Sequence, residues 1–82
     1  MTMHYTQHAL RRMEKRKLQK EWVDRVVNHP ALIEADAVDS SLEHRLAPVP
    51  ELANRVLRVI ISRDEPKRVI TAHLDRNMKG KL

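Results

Sequence analysis

Three polar side chains in the C-terminal half of this chain have types that could act on a phosphodiester. Arg58 and His73 alternate with apolar residues in two β-branched runs, and Thr71 precedes His73 by two positions. Arginine binds phosphate through a planar fork of donors and keeps its charge. Histidine can accept or return a proton near neutral pH. These residue types suit metal-independent RNA cleavage, in which a base deprotonates a 2′-hydroxyl and cations stabilise the phosphate.

The same residues could instead be ordinary polar side chains on an exposed sheet face, and their spacing alone leaves both interpretations open. If they form a phosphate site, a neighbouring arginine would disfavour the imidazolium form of His73 and leave that ring neutral, as a general base requires. Three further polar residues stand at the ends of the same runs: Arg55, Asp75 and Arg76.

A second group of basic side chains lies near the N-terminus on one face of a predicted helix. Its members are His8, Arg11, Arg12 and Lys15, with Arg16 at the border of that face. Like charges at helical spacing cost about 0.2–0.5 kcal/mol per pair. A helix that keeps them is therefore suited to contact a polyanion such as RNA. A solvated helix face is the alternative.

Other chemistries lack the residues they need. The chain has no cysteine, no Gly-rich phosphate loop and no His, Asp and Glu spacing typical of a metal site. We therefore expect neither a metal nor a cofactor. Aromatic residues that could stack on bases are nearly missing, which disfavours sequence-specific recognition of single strands. Each of three scattered histidines is interpreted as satisfied or exposed: His4, His29 and His44.

The net charge of +5 is divided unevenly along the 82 residues. Residues 1–30 carry +4, residues 31–54 carry −4 and residues 55–82 carry +5. This division indicates a polyanionic partner or an acidic protein inhibitor, with ordinary solubility charge as the alternative. The length predicts one domain, residues 1–82, with a flexible basic tail at 77–82. No secretory signal and no apolar run of about 20 residues is present, so we expect a cytoplasmic protein without a membrane span.

Two helices and three or four strands should position these residues. The first helix is predicted over Thr6–Arg16, with Thr6 as its N-cap. The second is predicted over Gln19–His29 and is stopped by Pro30. The helical half of the core is predicted to consist of Leu10, Met13, Trp22, Val26 and Val27.

Strands are predicted over Ala31–Ala37, Leu42–Val49, Arg55–Arg63 and Arg68–Asp75. Pro48 and Pro50 predict that the second of these is an edge strand or leaves the sheet there. Helices followed by strands predict an α+β fold in which two N-terminal helices pack on one face of a twisted, three- to four-stranded antiparallel sheet.

The last two strands are predicted to form a hairpin about the turn Asp64–Lys67. Arg63 should pair with Arg68, and the strict alternation should place six apolar residues against the helices: Leu57, Val59, Ile61, Ile70, Ala72 and Leu74. The other face should carry Ile60 opposite Thr71 and Arg58 opposite His73.

Two stretches of the chain resemble a known family. Residues 5–16 read YTQHALRRMEKR and resemble the opening motif Y-T-x-H-A-x-x-R-M-x-x-R of the family named domain of unknown function 4258. Trp22-Val23 and Asn28-His29-Pro30 continue that pattern. Residues 55–59, RVLRV, and residues 69–76, VITAHLDR, resemble its ending R-V-L-R-V and V-V-T-A-x-x-D-R. The resemblance spans nearly the whole chain and is weakest over 32–52.

That family is considered similar to the RelE/ParE and barnase–EndoU–colicin class of small toxins. The resemblance implies a RelE-like fold and a metal-independent endoribonuclease held in check by an antitoxin. It also leaves open a non-catalytic ParE-like toxin or a basic RNA- or protein-binding module. The residues that match the family's motifs are His8, Arg12, Arg55, Arg58, Thr71, Asp75 and Arg76.

The sequence thus predicts a toxin-like ribonuclease with a definite division of roles. Arg58 and Arg55 should hold the phosphate, His8 or His73 should move the proton, and Thr71 should orient the substrate. The residues predicted to contact the RNA backbone are Arg11, Arg12, Lys15, Arg16, Arg55 and Arg76. The expected partners are RNA, on the ribosome or free of it, and an acidic antitoxin or immunity protein.

Overall fold

The structure, a computed structural model, describes residues 3–82. Its helices are α1 (Gln7–Lys15) and α2 (Lys20–Asn28). Its strands are β1 (His4–Tyr5), β2 (Leu32–Ala35), β3 (Leu42–Val49), β4 (Arg55–Ser62) and β5 (Arg68–Leu74). Two short 3₁₀ turns, Pro50–Leu52 and Arg76–Met78, follow β3 and β5. The predicted helices and four predicted strands are therefore all present, with ends that agree or differ by at most two residues.

The sheet differs from the predicted one. It has five strands in the order β1-β5-β4-β3-β2, and β1 runs parallel to β5, so the sheet is mixed. The prediction of a three- to four-stranded antiparallel, RelE-like sheet was wrong, although the fold is α+β. The cause is β1, which has two residues and therefore shows no alternation in the sequence. It pairs with the first two residues of β5.

The hairpin of β4 and β5 has the predicted register over most of its length. Arg58 lies opposite His73, Val59 opposite Ala72 and Ile60 opposite Thr71. A bulge then shifts the pairing, so that Ile61 lies opposite Val69 and not Ile70. Val69 is therefore buried in the core, whereas Ile70 is only partly buried and is not part of the core. The prediction that Ile70 belongs to the core was wrong.

The predicted closure of that hairpin by Arg63 and Arg68 is also absent. The backbone N–H of Arg68 donates to the Ser62 side-chain oxygen at 2.9 Å, and the N–H of Arg63 donates to the Ser41 carbonyl at 2.8 Å. The side chain of the buried Ser62 thus replaces the backbone pair that was predicted between Arg63 and Arg68. The sequence alternation could not reveal this, because the bulge changes the register only at the turn end.

Helix α1 begins and ends where local chemistry dictates. The Thr6 hydroxyl oxygen accepts a hydrogen bond from the Ala9 N–H at 3.0 Å, as predicted for an N-cap. At the other end Lys17 adopts a left-handed φ of 57°, and the Leu18 N–H donates to the Met13 carbonyl at 2.8 Å. This is a Schellman ending, which buries Leu18 beside the helix. It fixes the position of Arg16, the C-cap residue.

The core lies between the two helices and one face of the sheet. Of the five residues predicted for its helical half, four are buried: Met13, Trp22, Val26 and Val27. Leu10 is 38% exposed, so its assignment to the core was wrong. Helix α1 instead buries Ala9 and Met13, which are four residues apart and lie on one stripe, while Leu10 lies beside that stripe.

Strand β3 is an interior strand, so of the two alternatives predicted from Pro48 and Pro50 the edge strand was wrong. The other alternative holds, because the strand ends at Val49 and Pro50 begins a 3₁₀ turn. Strand β3 pairs with β4 along its whole length, whereas β2 pairs only with residues 43–46. Pro48 lies beyond the end of β2, where no neighbour on that side needs its missing N–H. β2, which is shorter than predicted, is the edge strand on that side, and β1 is the other edge.

The C-terminal residues are partly structured. Asn77 and Met78, assigned by the sequence to a flexible tail, lie in the 3₁₀ turn 76–78, which contacts β4.

Val56 and Leu46 are buried on the face of the sheet that points away from the helices. Within residues 3–82, neither helix has the length and apolar character that a membrane crossing requires.

Candidate functional site

The outer face of the sheet, which points away from the helices, carries the predicted chemistry. Arg58 on β4 and His73 on β5 are directly opposite one another, as the sequence predicted. Thr71 is two residues before His73 and therefore on the same face, opposite Ile60. All four side chains are partly buried. The three predicted residues Arg58, Thr71 and His73 are thus brought together.

The Arg58 guanidinium contacts Asp75, which follows β5, Glu34 on β2 and His44 on β3. Its Nε donates to Asp75 Oδ2 at 3.0 Å, and its second terminal nitrogen lies 2.8 Å from the same oxygen. Its first terminal nitrogen donates to Glu34 Oε1 at 3.2 Å and lies 2.7 Å from His44 Nδ1. The side chain is only 17% exposed. Most of its donors therefore already have partners within the protein.

These contacts continue from His44 to a turn after β2. His44 Nε2 lies 2.6 Å from Asp36 Oδ1, and the other oxygen of Asp36 accepts from the backbone N–H groups of Val38 and Asp39. The hydrogen bonds from Asp39, His44 and Val38 lower the pKa of Asp36 to about 2. We call the connected group the paired cluster; it consists of Glu34, Asp36, His44, Arg58 and Asp75.

Asp75 links the paired cluster to the turn that follows β5. One of its oxygens binds Arg58, which is the main reason that the pKa of Asp75 lies below its ordinary 3.8. The other oxygen accepts from the Asn77 N–H at 3.0 Å, and the Asp75 N–H donates to the Val56 carbonyl at 2.9 Å. Asp75 therefore caps the short turn that begins at Arg76. Through Asp75, Arg58 therefore supports the position of Arg76.

A separate group of basic residues surrounds a shallow cavity next to His73. The cavity has a volume of about 340 Å³. We call it the basic cavity; its lining residues are Arg16, Arg55, His73, Leu74 and Arg76. Three arginines and one histidine thus line a space that no carboxylate lines. This is the arrangement that a phosphate group requires.

Each arginine of the basic cavity comes from the end of an element. Arg16 is the C-cap of α1, and its NH1 donates to the Ala72 carbonyl on β5 at 2.7 Å. Arg55 is the first residue of β4, and Arg76 is the first residue of the turn after β5. All three are exposed. Contacts between distant parts of the chain therefore assemble the cavity.

The environment of His73 favours its neutral form. Burial is the main cause of a pKa below the ordinary 6.5, and the positive charges of Arg16 and Arg58 lower it further. The carboxylate of Asp75 acts in the opposite direction but does not outweigh them. A neutral imidazole among cations can accept a proton at physiological pH. The prediction that a neighbouring arginine would have this effect on His73 agrees with the structure.

The structure separates the other predicted residues from this cavity. Four of them occupy α1 and do not line the basic cavity: His8, Arg11, Arg12 and Lys15. Arg12 is partly buried, and the other three are exposed. Of the two predicted proton carriers, only His73 therefore lines the basic cavity.

Sequence reasoning missed the partners of Arg58. Glu34 lies on β2, which pairs with β3 and not with β4, and His44 lies on β3; they are 24 and 14 residues from Arg58 along the chain. The one available signal was alternation, because His44 and Leu46 share a face of β3, and Leu46 lies opposite Arg58. Within residues 3–82, no group of three His, Asp or Glu side chains has the arrangement of a metal site.

The comparison with protein families finds one match. The sequence profile of the family described as a domain of unknown function (DUF4258) matches residues 5–73. No curated protein and no solved structure matches the chain. The matched segment includes Arg16, Arg55 and His73, and it ends before Asp75 and Arg76. The chain therefore belongs to the DUF4258 family, as the resemblance predicted.

Proposed function

We propose that this member of the DUF4258 family is a metal-independent endoribonuclease and that the basic cavity is its active site. The observation that carries the proposal is the juxtaposition of three arginines with a histidine whose pKa is lowered. The arginines supply the charge that a phosphate needs, and the histidine supplies a base. Both requirements meet in one place on the surface.

In the proposed reaction, a 2′-hydroxyl of RNA attacks the adjacent phosphorus. His73 accepts the proton of that hydroxyl, and Arg16, Arg55 and Arg76 stabilise the charge on the phosphate oxygens. The bond from phosphorus to the 5′-oxygen breaks, and this oxygen takes a proton from solvent, to which the cavity is open. The products are a 2′,3′-cyclic phosphate and a 5′-hydroxyl. Thr71, on the same face as His73, would orient the substrate.

The role proposed for Arg58 changes in the light of its contacts. Because Asp75, Glu34 and His44 already engage its guanidinium, a phosphate would have to displace at least one of them. We therefore propose that Arg58 supports the site through Asp75 and contributes to the low pKa of His73 by its charge. Arg55 and Arg76, which are exposed, take the role of direct phosphate ligands.

The proposed setting is that of a cytoplasmic toxin similar in role to the RelE/ParE toxins. Three exposed arginines around a cavity would attract the carboxylates of a small acidic antitoxin or immunity protein. Such a partner would cover the cavity and block access of RNA to His73. A neighbouring open reading frame that encodes a small acidic protein would identify it.

The test is incubation of the purified chain with single-stranded RNA in EDTA. The proposal predicts cleavage that leaves a 2′,3′-cyclic phosphate, no cleavage of DNA with the same sequence, and loss of cleavage in His73→Ala. His8→Ala, which alters a histidine outside the cavity, should keep its activity. Absence of any RNA cleavage would overturn the enzymatic proposal.

One observation favours a second candidate, an RNA-binding protein that does not cut. His73 is the only histidine that lines the basic cavity, and no carboxylate lines it, so no second side chain there can serve as a general acid. This candidate predicts RNA binding that depends on Arg55 and Arg76, with intact RNA recovered. The EDTA experiment separates the two candidates directly.

A further inference from the structure

A second, smaller cavity adjoins the basic cavity. It has a volume of about 70 Å³, and the two cavities share three lining residues: Arg55, Leu74 and Arg76. Asp75 and Lys79 complete its lining. Because Arg55, Leu74 and Arg76 border both, the two cavities are adjacent, at the end of β5 and the turn after it.

The smaller cavity has the chemistry of an anion site. Three of its lining residues are cations: Arg55, Arg76 and Lys79. Its one carboxylate, Asp75, is engaged by Arg58 through one oxygen and by the Asn77 N–H through the other. The charge of Asp75 is therefore largely offset within the protein, and the cations dominate the cavity.

The size of the smaller cavity limits what it can hold. A volume of about 70 Å³ corresponds to roughly two water molecules at about 30 Å³ each. That space suits a phosphate group. No Phe, Tyr or Trp side chain lines either cavity, so neither offers a large aromatic platform on which bases could stack; the one ring present is His73, the proposed base.

We propose that the substrate is single-stranded RNA bound through two successive phosphates, with no preference for base sequence. This inference rests on the proposed function and extends it. The scissile phosphate lies in the basic cavity beside His73 and Arg16. The neighbouring phosphate lies in the smaller cavity against Lys79, and Arg55 and Arg76 contact both. Contacts of this kind position the RNA backbone and do not read its bases.

The test uses 2′-O-methyl oligonucleotides, which cannot be cut, with one, two or three internucleotide phosphates. Binding is measured over a range of salt concentrations. For single strands, log K falls with log[salt] by about 0.7 per phosphate contacted. The slope should steepen from about −0.7 with one phosphate to about −1.4 with two, and should change little with the third.

Two lysines of the C-terminal segment provide a matched pair of variants. Lys79→Gln should return the slope for the two-phosphate ligand to about −0.7 and abolish its gain in affinity over the one-phosphate ligand. Lys81 is equally exposed but lines neither cavity, so Lys81→Gln should preserve both. Both lysines are exposed, so neither substitution should affect folding.

The outcomes also distinguish this inference from the proposed function. If RNA is cut but the second phosphate adds neither affinity nor slope, or if the two lysine variants behave alike, the two-phosphate site is wrong and the nuclease proposal stands. A strong dependence on base identity would also overturn the inference. If RNA is neither bound nor cut, both proposals fail.

Discussion

The paired cluster and the basic cavity lie near the same end of β4 and β5, and both contain arginine and histidine. In the paired cluster, Arg58 is surrounded by Asp75, Glu34 and His44 and is only 17% exposed. Arg55, by contrast, is exposed, and no carboxylate lines the basic cavity. The position of an arginine along a strand determines which face of the sheet its side chain occupies. Carboxylates from other strands determine whether its guanidinium is free to bind a ligand.

The largest expected effect concerns the core that supports both regions. Trp22 is 8% exposed, and Trp22→Ala should lower the free energy of unfolding by about 3–5 kcal/mol because it leaves a cavity in the core. Urea unfolding would measure this. Val38→Ala, at a position that is 95% exposed, should leave stability unchanged. A Trp22→Ala protein as stable as the parent would mean that the two regions do not depend on this core.

The two histidines provide the sharpest functional contrast. His73→Ala should lower the cleavage rate by about 10²–10⁴-fold, because it removes the proposed base, and should leave the melting temperature nearly unchanged. His44→Ala should keep most of the activity but lower the melting temperature, because Asp36 and Arg58 each lose a partner. Rates and melting curves for both variants test the contrast. The opposite pattern would assign the chemistry to the paired cluster.

The two arginines of β4 should differ in the same way. Arg58→Ala should lower the melting temperature by about 4–8 °C, the scale of one well-formed polar interaction in a domain of this size. Arg55→Ala should weaken RNA binding and reduce its salt slope by about 0.7, with no change in melting temperature. If Arg58→Ala abolished cleavage with an unchanged melting temperature and His73 pKa, Arg58 would be the phosphate ligand that the sequence predicted.

The smallest expected effect is the acid sensitivity of the paired cluster. The folded-state pKa values of Asp75 and Asp36 lie below their ordinary 3.8, at about 2 for Asp36. Carboxylates of this kind contribute stability that is fully present above about pH 3.8 and is lost as the pH falls through the folded value. Urea unfolding from neutral pH to about pH 2 should show this decline. In Arg58→Ala the loss of stability with falling pH should be smaller, because the hydrogen bond from Arg58 is the main cause of the low pKa of Asp75. A decline as steep as that of the parent would argue against the Arg58–Asp75 pair.

Much of the fold could be predicted because its signals are local. Alternation located β3, β4 and β5 to within a residue at each end, and the Thr6 cap and Pro30 located the helices. The two-residue strand β1 has no alternation to detect. The bulge at Ile61 was also hidden, because Val69 and Ile70 are both apolar and either could occupy the core.

The candidate site was predictable in part for the same reason. Register alone placed Arg58 opposite His73 and Thr71 on the same face. The carboxylates that neutralise Arg58 come from β2 and from the end of β5, and their approach depends on how three strands pair and where β5 ends. The choice between a free and a paired arginine therefore required the tertiary structure.

The most direct test of the central claim is the pH dependence of kcat/KM for RNA cleavage in EDTA. If neutral His73 is the base, activity should rise with pH along one limb whose midpoint lies below 6.5, reach a plateau near neutrality, and be lost at every pH in His73→Ala. A profile without that limb, a midpoint above 6.5, or full activity in His73→Ala would contradict the account.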